Sequence, residues 1–220
     1  MQEQPIPTLT TQKPTGKEDL LYTASSILSG IFTPFMVPTL SFIILFFFTY
    51  LRIMPMAYKL TILTMVFCFT MVLPLTGIYL LQRINHWEAQ VLSQRHERLI
   101  PYGMTLLSYA TCLLTMYNMH LPRYMSGIIV GVIICIAFCT IINFKWKIST
   151  HMASCGMMVG GLLSFSIIFR FNPLVWLSAF ILLSGALGTA RIILRQHSLN
   201  EVYAGFLLGL ICGITGILYI

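Results

Sequence analysis

The chain has 220 residues, of which 57% are hydrophobic and only 9% charged, with a formal net charge of +7. Mean hydropathy is +0.85, far above globular usage, which excludes a soluble domain and indicates an integral membrane protein. The apolar runs suit helices of roughly 20 residues and not the alternating strands of an outer-membrane barrel, so the expected fold is all-α, a polytopic transmembrane helical bundle.

Residues 1–17 are polar, with Pro5, Pro7 and Pro14, and read as a flexible tail. No basic segment with a short apolar run and a small-residue cleavage site opens the chain, so no cleavable signal is expected. Residues 18–220 read as a single transmembrane domain. Within it, residues 18–33 are apolar but short and Ser-rich, and predict a helix lying at the membrane interface. Seven spans follow, at about 34–52, 57–82, 103–120, 125–144, 151–170, 174–191 and 200–219.

The last span places Gly205, Gly209 and Gly213 at four-residue spacing, and the fifth carries Gly156, Gly160 and Gly161. Such spacing lets helices approach closely and predicts that these two spans pair. The six cysteines, Cys68, Cys112, Cys135, Cys139, Cys155 and Cys212, all fall in apolar runs and read as small core residues. No His or Cys set completes a zinc site, so no metal or other cofactor is expected.

Three polar gaps interrupt the apolar pattern. Residues 83–101 carry Arg83, His86, Glu88, Arg95, His96, Glu97 and Arg98; residues 145–150 carry Lys145 and Lys147; residues 191–201 carry Arg191, Arg195, His197 and Glu201. Two spans separate each gap from the next, so all three should emerge on one membrane face. Cation, imidazole and carboxylate beside hydrocarbon are costly and mark a functional site. His197 and Glu201 stand one helical turn apart, so the carboxylate can hold one ring nitrogen and leave the other free to attack. Ser149 is placed to cap a helix that begins near Thr150. The free N–H groups there, with Lys147 nearby, suit a phosphate, and His151 lies in the first turn where it can exchange a proton.

Together these gaps resemble the type-2 phosphatidic acid phosphatase and vanadium haloperoxidase superfamily, in its membrane-bound lipid phosphatase branch. The family pattern runs Lys-x6-Arg-Pro, then Pro-Ser-Gly-His, then Ser-Arg-x5-His-x3-Asp. The third element is met by Arg191, His197 and Glu201, with Ala190 at the Ser position and Glu for Asp. The second is met by Ile148-Ser149-Thr150-His151. The first is represented by Arg98-Leu99-Ile100-Pro101, with Arg95, Lys145 or Lys147 left to supply its other cation.

The resemblance implies that His197 attacks phosphorus and that Glu201 orients it. Arg191 and Arg98 would grip phosphate oxygens, and His151 would protonate the leaving oxygen and then activate water. It implies a metal-independent phosphatase acting on a lipid phosphate or pyrophosphate in the bilayer, with no nucleic-acid partner. A lipid phosphotransferase using the same histidine, or an anion transporter, are the alternative functions. A count of nine Lys and Arg on the motif face against four opposite places that face in the cytoplasm. The resemblance favours a site facing outward from a bacterial inner membrane, and that is the orientation expected here.

Overall fold

The computed structural model describes residues 16–84 and 99–218. The tail read at residues 1–17 therefore lies almost wholly outside the described residues. So do Arg95 and Arg98, with His86, Glu88, His96 and Glu97.

The chain is an all-α polytopic membrane bundle. In order come α1 (Gly16–Ile31), α2 (Met36–Phe48), a 3-10 turn (Tyr50–Ile53), α3 (Met56–Phe67), a π-helical turn (Cys68–Val72), α4 (Leu73–Ile84), α5 (Leu99–Asn118), α6 (Arg123–Asn143), α7 (Thr150–Phe169), α8 (Leu174–Ile193) and α9 (Leu199–Leu218). Five helices among the described residues are long and apolar enough to cross a bilayer: the continuous rod Met56–Ile84, and α6, α7, α8 and α9. Helices α1 and α2 would make a sixth if taken as one span, bent by 67°.

Prolines set most of the boundaries. Pro34 drives Thr33 out of helical geometry, which separates α1 from α2, and Pro55 does the same to Met54, whose ψ is 146°. The span expected at 34–52 is thus a 13-residue helix closed by a 3-10 turn. At about 1.5 Å per residue α2 is too short to cross roughly 30 Å of hydrocarbon alone. Helix α5 has the length but not the hydropathy of the five, because Thr105, Ser108, Tyr109, Thr111 and Thr115 interrupt its apolar character.

Two of those hydroxyls have a structural use. Pro74 lacks an N–H and cannot serve a carbonyl in the turn before it, so the helix loosens into a π turn at Cys68–Val72. The freed carbonyls accept from α5: Phe69 O from the Ser108 hydroxyl, and Thr70 O from the Tyr109 hydroxyl at 3.2 Å. No water is at hand inside a bilayer, so a neighbouring helix must supply such donors.

Helix α7 is the centre of the bundle and packs most intimately on α9. A Cβ on Gly156 would run into the Phe206 carbonyl, and one on Gly209 into the Ala153 carbonyl. Gly216 does the same for α9 against α6, at Gly127 and Gly131. The two helices are held backbone to backbone, which fixes their N-terminal ends relative to each other. Five of the six cysteines are buried in this core; Cys68, on the π turn, is instead exposed.

Candidate functional site

The starts of α7 and α9 meet because of one glycine. A Cβ on Gly205 would lie 2.5 Å from the Ser149 carbonyl, so only glycine lets the segment before α7 approach α9. The Ser149 N–H then donates to the Glu201 carbonyl at 3.4 Å. Ser149 holds the N-cap position with extended backbone, as expected, but its side chain makes no cap hydrogen bond. Its hydroxyl is fully buried and has no hydrogen-bond partner among the described residues.

The end of α8 delivers the next two groups. Arg191 lies in its last turn, only 8% exposed, and its Nη1 donates to the Ser29 hydroxyl of α1 at 2.7 Å. The chain then reverses sharply. Arg195 adopts left-handed backbone, φ 51°, and the Gln196 N–H returns to the Arg191 carbonyl at 3.1 Å. A non-glycine residue pays about 1 kcal/mol or more for that conformation. The reversal leaves His197 7% exposed at the foot of α9.

His197 Nδ1 lies 2.7 Å from Glu201 Oε2. The same carboxylate oxygen accepts from the Ser198 N–H at 3.4 Å, while the Ser198 carbonyl accepts from Val202. Ser198-Leu199-Asn200-Glu201 thus supplies the acidic half of a capping box, in which the third helical residue reaches back to the cap N–H. The longer Glu side chain spans the cap N–H and the imidazole together, so the extra methylene relative to Asp is absorbed without losing the contact.

Burial is the first cause that pushes the His197 pKa down from 6.5 to about 4; the Glu201 hydrogen bond acts the other way, and the Arg191 and Lys147 charges lower it further. At neutral pH the ring is thus uncharged. A carboxylate only accepts, so the proton belongs on Nδ1 and the lone pair is on Nε2.

His151 is half-buried in the first turn of α7. With Thr150 it lines a cavity of about 230 Å³ enclosed by α5, α6, α7 and the α1–α2 bend. The remaining lining is Pro34, Phe35, Val37, Pro101, Tyr102, Thr105, Tyr109, Val132, Cys135, Ile136, Cys139, Ala153, Ser154 and Met157.

The structure thus gathers Arg191, His197, Glu201, Ser149 and Lys147 at one end of the bundle, while Thr150 and His151 line a cavity whose walls include none of those five. Among the described residues, no three His, Cys, Asp or Glu side chains converge as a metal site. Sequence reasoning missed Ser29 and the second role of Glu201. The capping box was readable from its Ser-x-x-Glu spacing before an apolar run, but nothing local marks Ser29 as a partner of Arg191.

No protein-family model, curated protein or solved structure matches this chain.

Proposed function

We propose that this protein is a membrane-embedded phosphatase that removes phosphate from a lipid phosphate or pyrophosphate through a phosphohistidine, without a metal ion. The observation that carries the reading is the His197–Glu201 pair. A buried, uncharged imidazole is held at Nδ1 at 2.7 Å, with the Arg191 and Lys147 charges acting on it. That is the state a nitrogen nucleophile for a phosphate ester requires.

In this reading Nε2 bonds to phosphorus as the phosphorus–oxygen bond to the lipid breaks, and His151 gives its proton to the leaving oxygen. Water then attacks the phosphohistidine, its proton passes to His151, and the phosphorus–nitrogen bond breaks to release inorganic phosphate. Glu201 stabilises the imidazolium that forms on attack. Arg191 and Arg98 hold phosphate oxygens, joined by the helix start at Ser149 and Thr150, while Lys147 and Arg95 add positive charge. The resemblance to the type-2 phosphatidic acid phosphatase superfamily supplies these roles.

With α2 and its 3-10 turn taken together as one crossing and α5 as another, the bundle would have seven spans with α1 at the interface, and the site would face outward from a cytoplasmic membrane. Charged side chains on the described spans sit in first or last turns, as with Lys59, Arg123, Arg191 and Glu201, which favours an enzyme at a membrane face over an anion path through it. The test is phosphate release from a panel of lipid phosphates by purified protein in EDTA, with acid-labile phosphate trapped on His197. Activity lost on chelation and restored by a divalent ion would overturn the reading.

A further inference from the structure

We propose that the cavity beneath His151 holds a hydrocarbon chain of an anionic amphiphile whose charged head lies at the start of α7. The inference rests on the reading above for the head group as substrate, and adds where the lipid's tail is held.

The lining runs as one stripe along each of three helices, from Tyr102 to Tyr109 on α5, from Val132 to Cys139 on α6 and from Thr150 to Met157 on α7. At 1.5 Å per residue each stripe is about 10 Å long. The stripes follow the helix axes, so the void is a channel and not a flat cleft. It begins at the first turn of α7, at the membrane-surface end, and runs inward about a third of the way through a ~30 Å hydrocarbon core.

The walls are built for hydrocarbon. Three of their hydroxyls are engaged by backbone: that of Thr105 donates to Pro101 O at 2.7 Å, that of Ser154 to Thr150 O at 2.9 Å, and that of Tyr109 to Thr70 O at 3.2 Å, while Tyr102, Thr150 and His151 lie toward the start of α5 and α7. A water inside would find few of the partners it needs. The rim has the opposite character. Thr150 and His151, in the first turn of α7, line it there; the free N–H groups of that helix start offer a positive field, and just before it the buried Ser149 hydroxyl has no hydrogen-bond partner among the described residues. An apolar channel with a positive rim is complementary to one kind of molecule, a chain with an anionic head.

The test uses the whole protein in phosphatidylcholine nanodiscs, with decyl phosphate carrying a mid-chain diazirine and the matching diazirine decanol. After illumination, adducts are mapped by mass spectrometry. Decyl phosphate should label α6 and α7 between Val132 and Cys139 and between Ala153 and Met157. It should do so about tenfold more than the alcohol, the factor expected from one charge-assisted contact. Ile136→Trp, which fills the channel, should abolish these adducts, while Ile136→Ala should keep them. Adducts confined to membrane-facing residues such as Val175 and Leu182, or equal labelling by the alcohol, would overturn the proposal. The measurement needs no turnover and can be made on His197→Ala. Channel adducts without any hydrolysis by the wild type would sink the phosphatase reading and leave this one standing; hydrolysis with adducts elsewhere would do the reverse.

Discussion

At the end of the bundle that carries Lys59 and Asn172, polar side chains close backbone turns. Lys59 Nζ donates to the Arg52 carbonyl at 2.6 Å and lies over the Phe47 ring, and Asn172 Oδ1 accepts from the Leu174 N–H at 2.9 Å. At the end that carries His197, the basic side chains bond to other side chains, Arg191 to Ser29 and His197 to Glu201, with the Ser149 hydroxyl buried and unpartnered among the described residues. Turn closure explains the first set as stability. It does not explain the second, because burying a guanidinium and an imidazole is unfavourable unless something else needs them there. The difference teaches which groups the fold requires and which the fold merely carries.

The comparison breaks most visibly at His197. His197→Ala should lower lipid phosphatase turnover by a factor on the order of 10⁴ or more while leaving thermal unfolding near the wild-type temperature. A variant that keeps turnover would remove the nucleophile from the site. Glu201→Gln keeps the size and can still cap Ser198, but it removes the charge that, in the proposed mechanism, would steady an imidazolium at His197. A loss on the order of 100-fold in turnover is expected, with less effect on KM, and Glu201→Asp should retain more activity than Glu201→Gln. Equal kcat in wild type and Glu201→Gln, with chemistry rate-limiting, would reduce Glu201 to a helix cap.

Smaller effects sharpen the contrast. Ser29→Ala leaves Arg191 without its hydroxyl partner, so KM should rise about tenfold while kcat changes little, and Ser29→Thr should restore it. A general loss of folding would lower apparent kcat with KM unchanged and would not be rescued by Thr. At the other end, Lys59→Met deprives the Arg52 carbonyl of its donor. It should cost about 1–3 kcal/mol of stability and leave kcat within about threefold. A large fall in kcat from Lys59→Met, in protein that remains folded, would show that the ends are coupled.

Parts of this contrast were legible in the sequence. Four-residue glycine spacing foretold the α7–α9 contact, and the four-residue spacing of His197 and Glu201 foretold their bond, although His197 precedes α9 and Glu201 reaches it by folding back over the helix start. The helix expected at 18–33 is present as α1, but the sequence does not say where its serines point. Ser25 and Ser29 are buried while Leu20, Leu21 and Ile27 are exposed, an arrangement that only packing on α8 decides. The span expected at 34–52 failed to anticipate the 3-10 turn because hydropathy does not register where the chain bends. The π turn was likewise hidden, since it requires Pro74 and the hydroxyls of α5 together.

The last and smallest effect is a titration. His197 is lowered to about 4, chiefly by burial, whereas the unfolded chain titrates it near 6.5. Below 6.5 the unfolded state therefore binds a proton that the folded state refuses until about 4. The contribution of this residue to stability is complete above 6.5 and falls as pH drops from 6.5 through about 4. Carbon-13 NMR of ring-labelled histidine in micelles should show His197 uncharged at pH 5.5, a value inside that window. Lys147→Met removes a repelling cation and should raise the His197 pKa, while Glu201→Gln removes the group that favours its charge and should lower it. The two shifts must have opposite signs. If Lys147→Met leaves the titration unmoved, Lys147 lies too far from the ring to help neutralise a phosphate bound there. The cationic side of the site would then rest on Arg191 among the described residues.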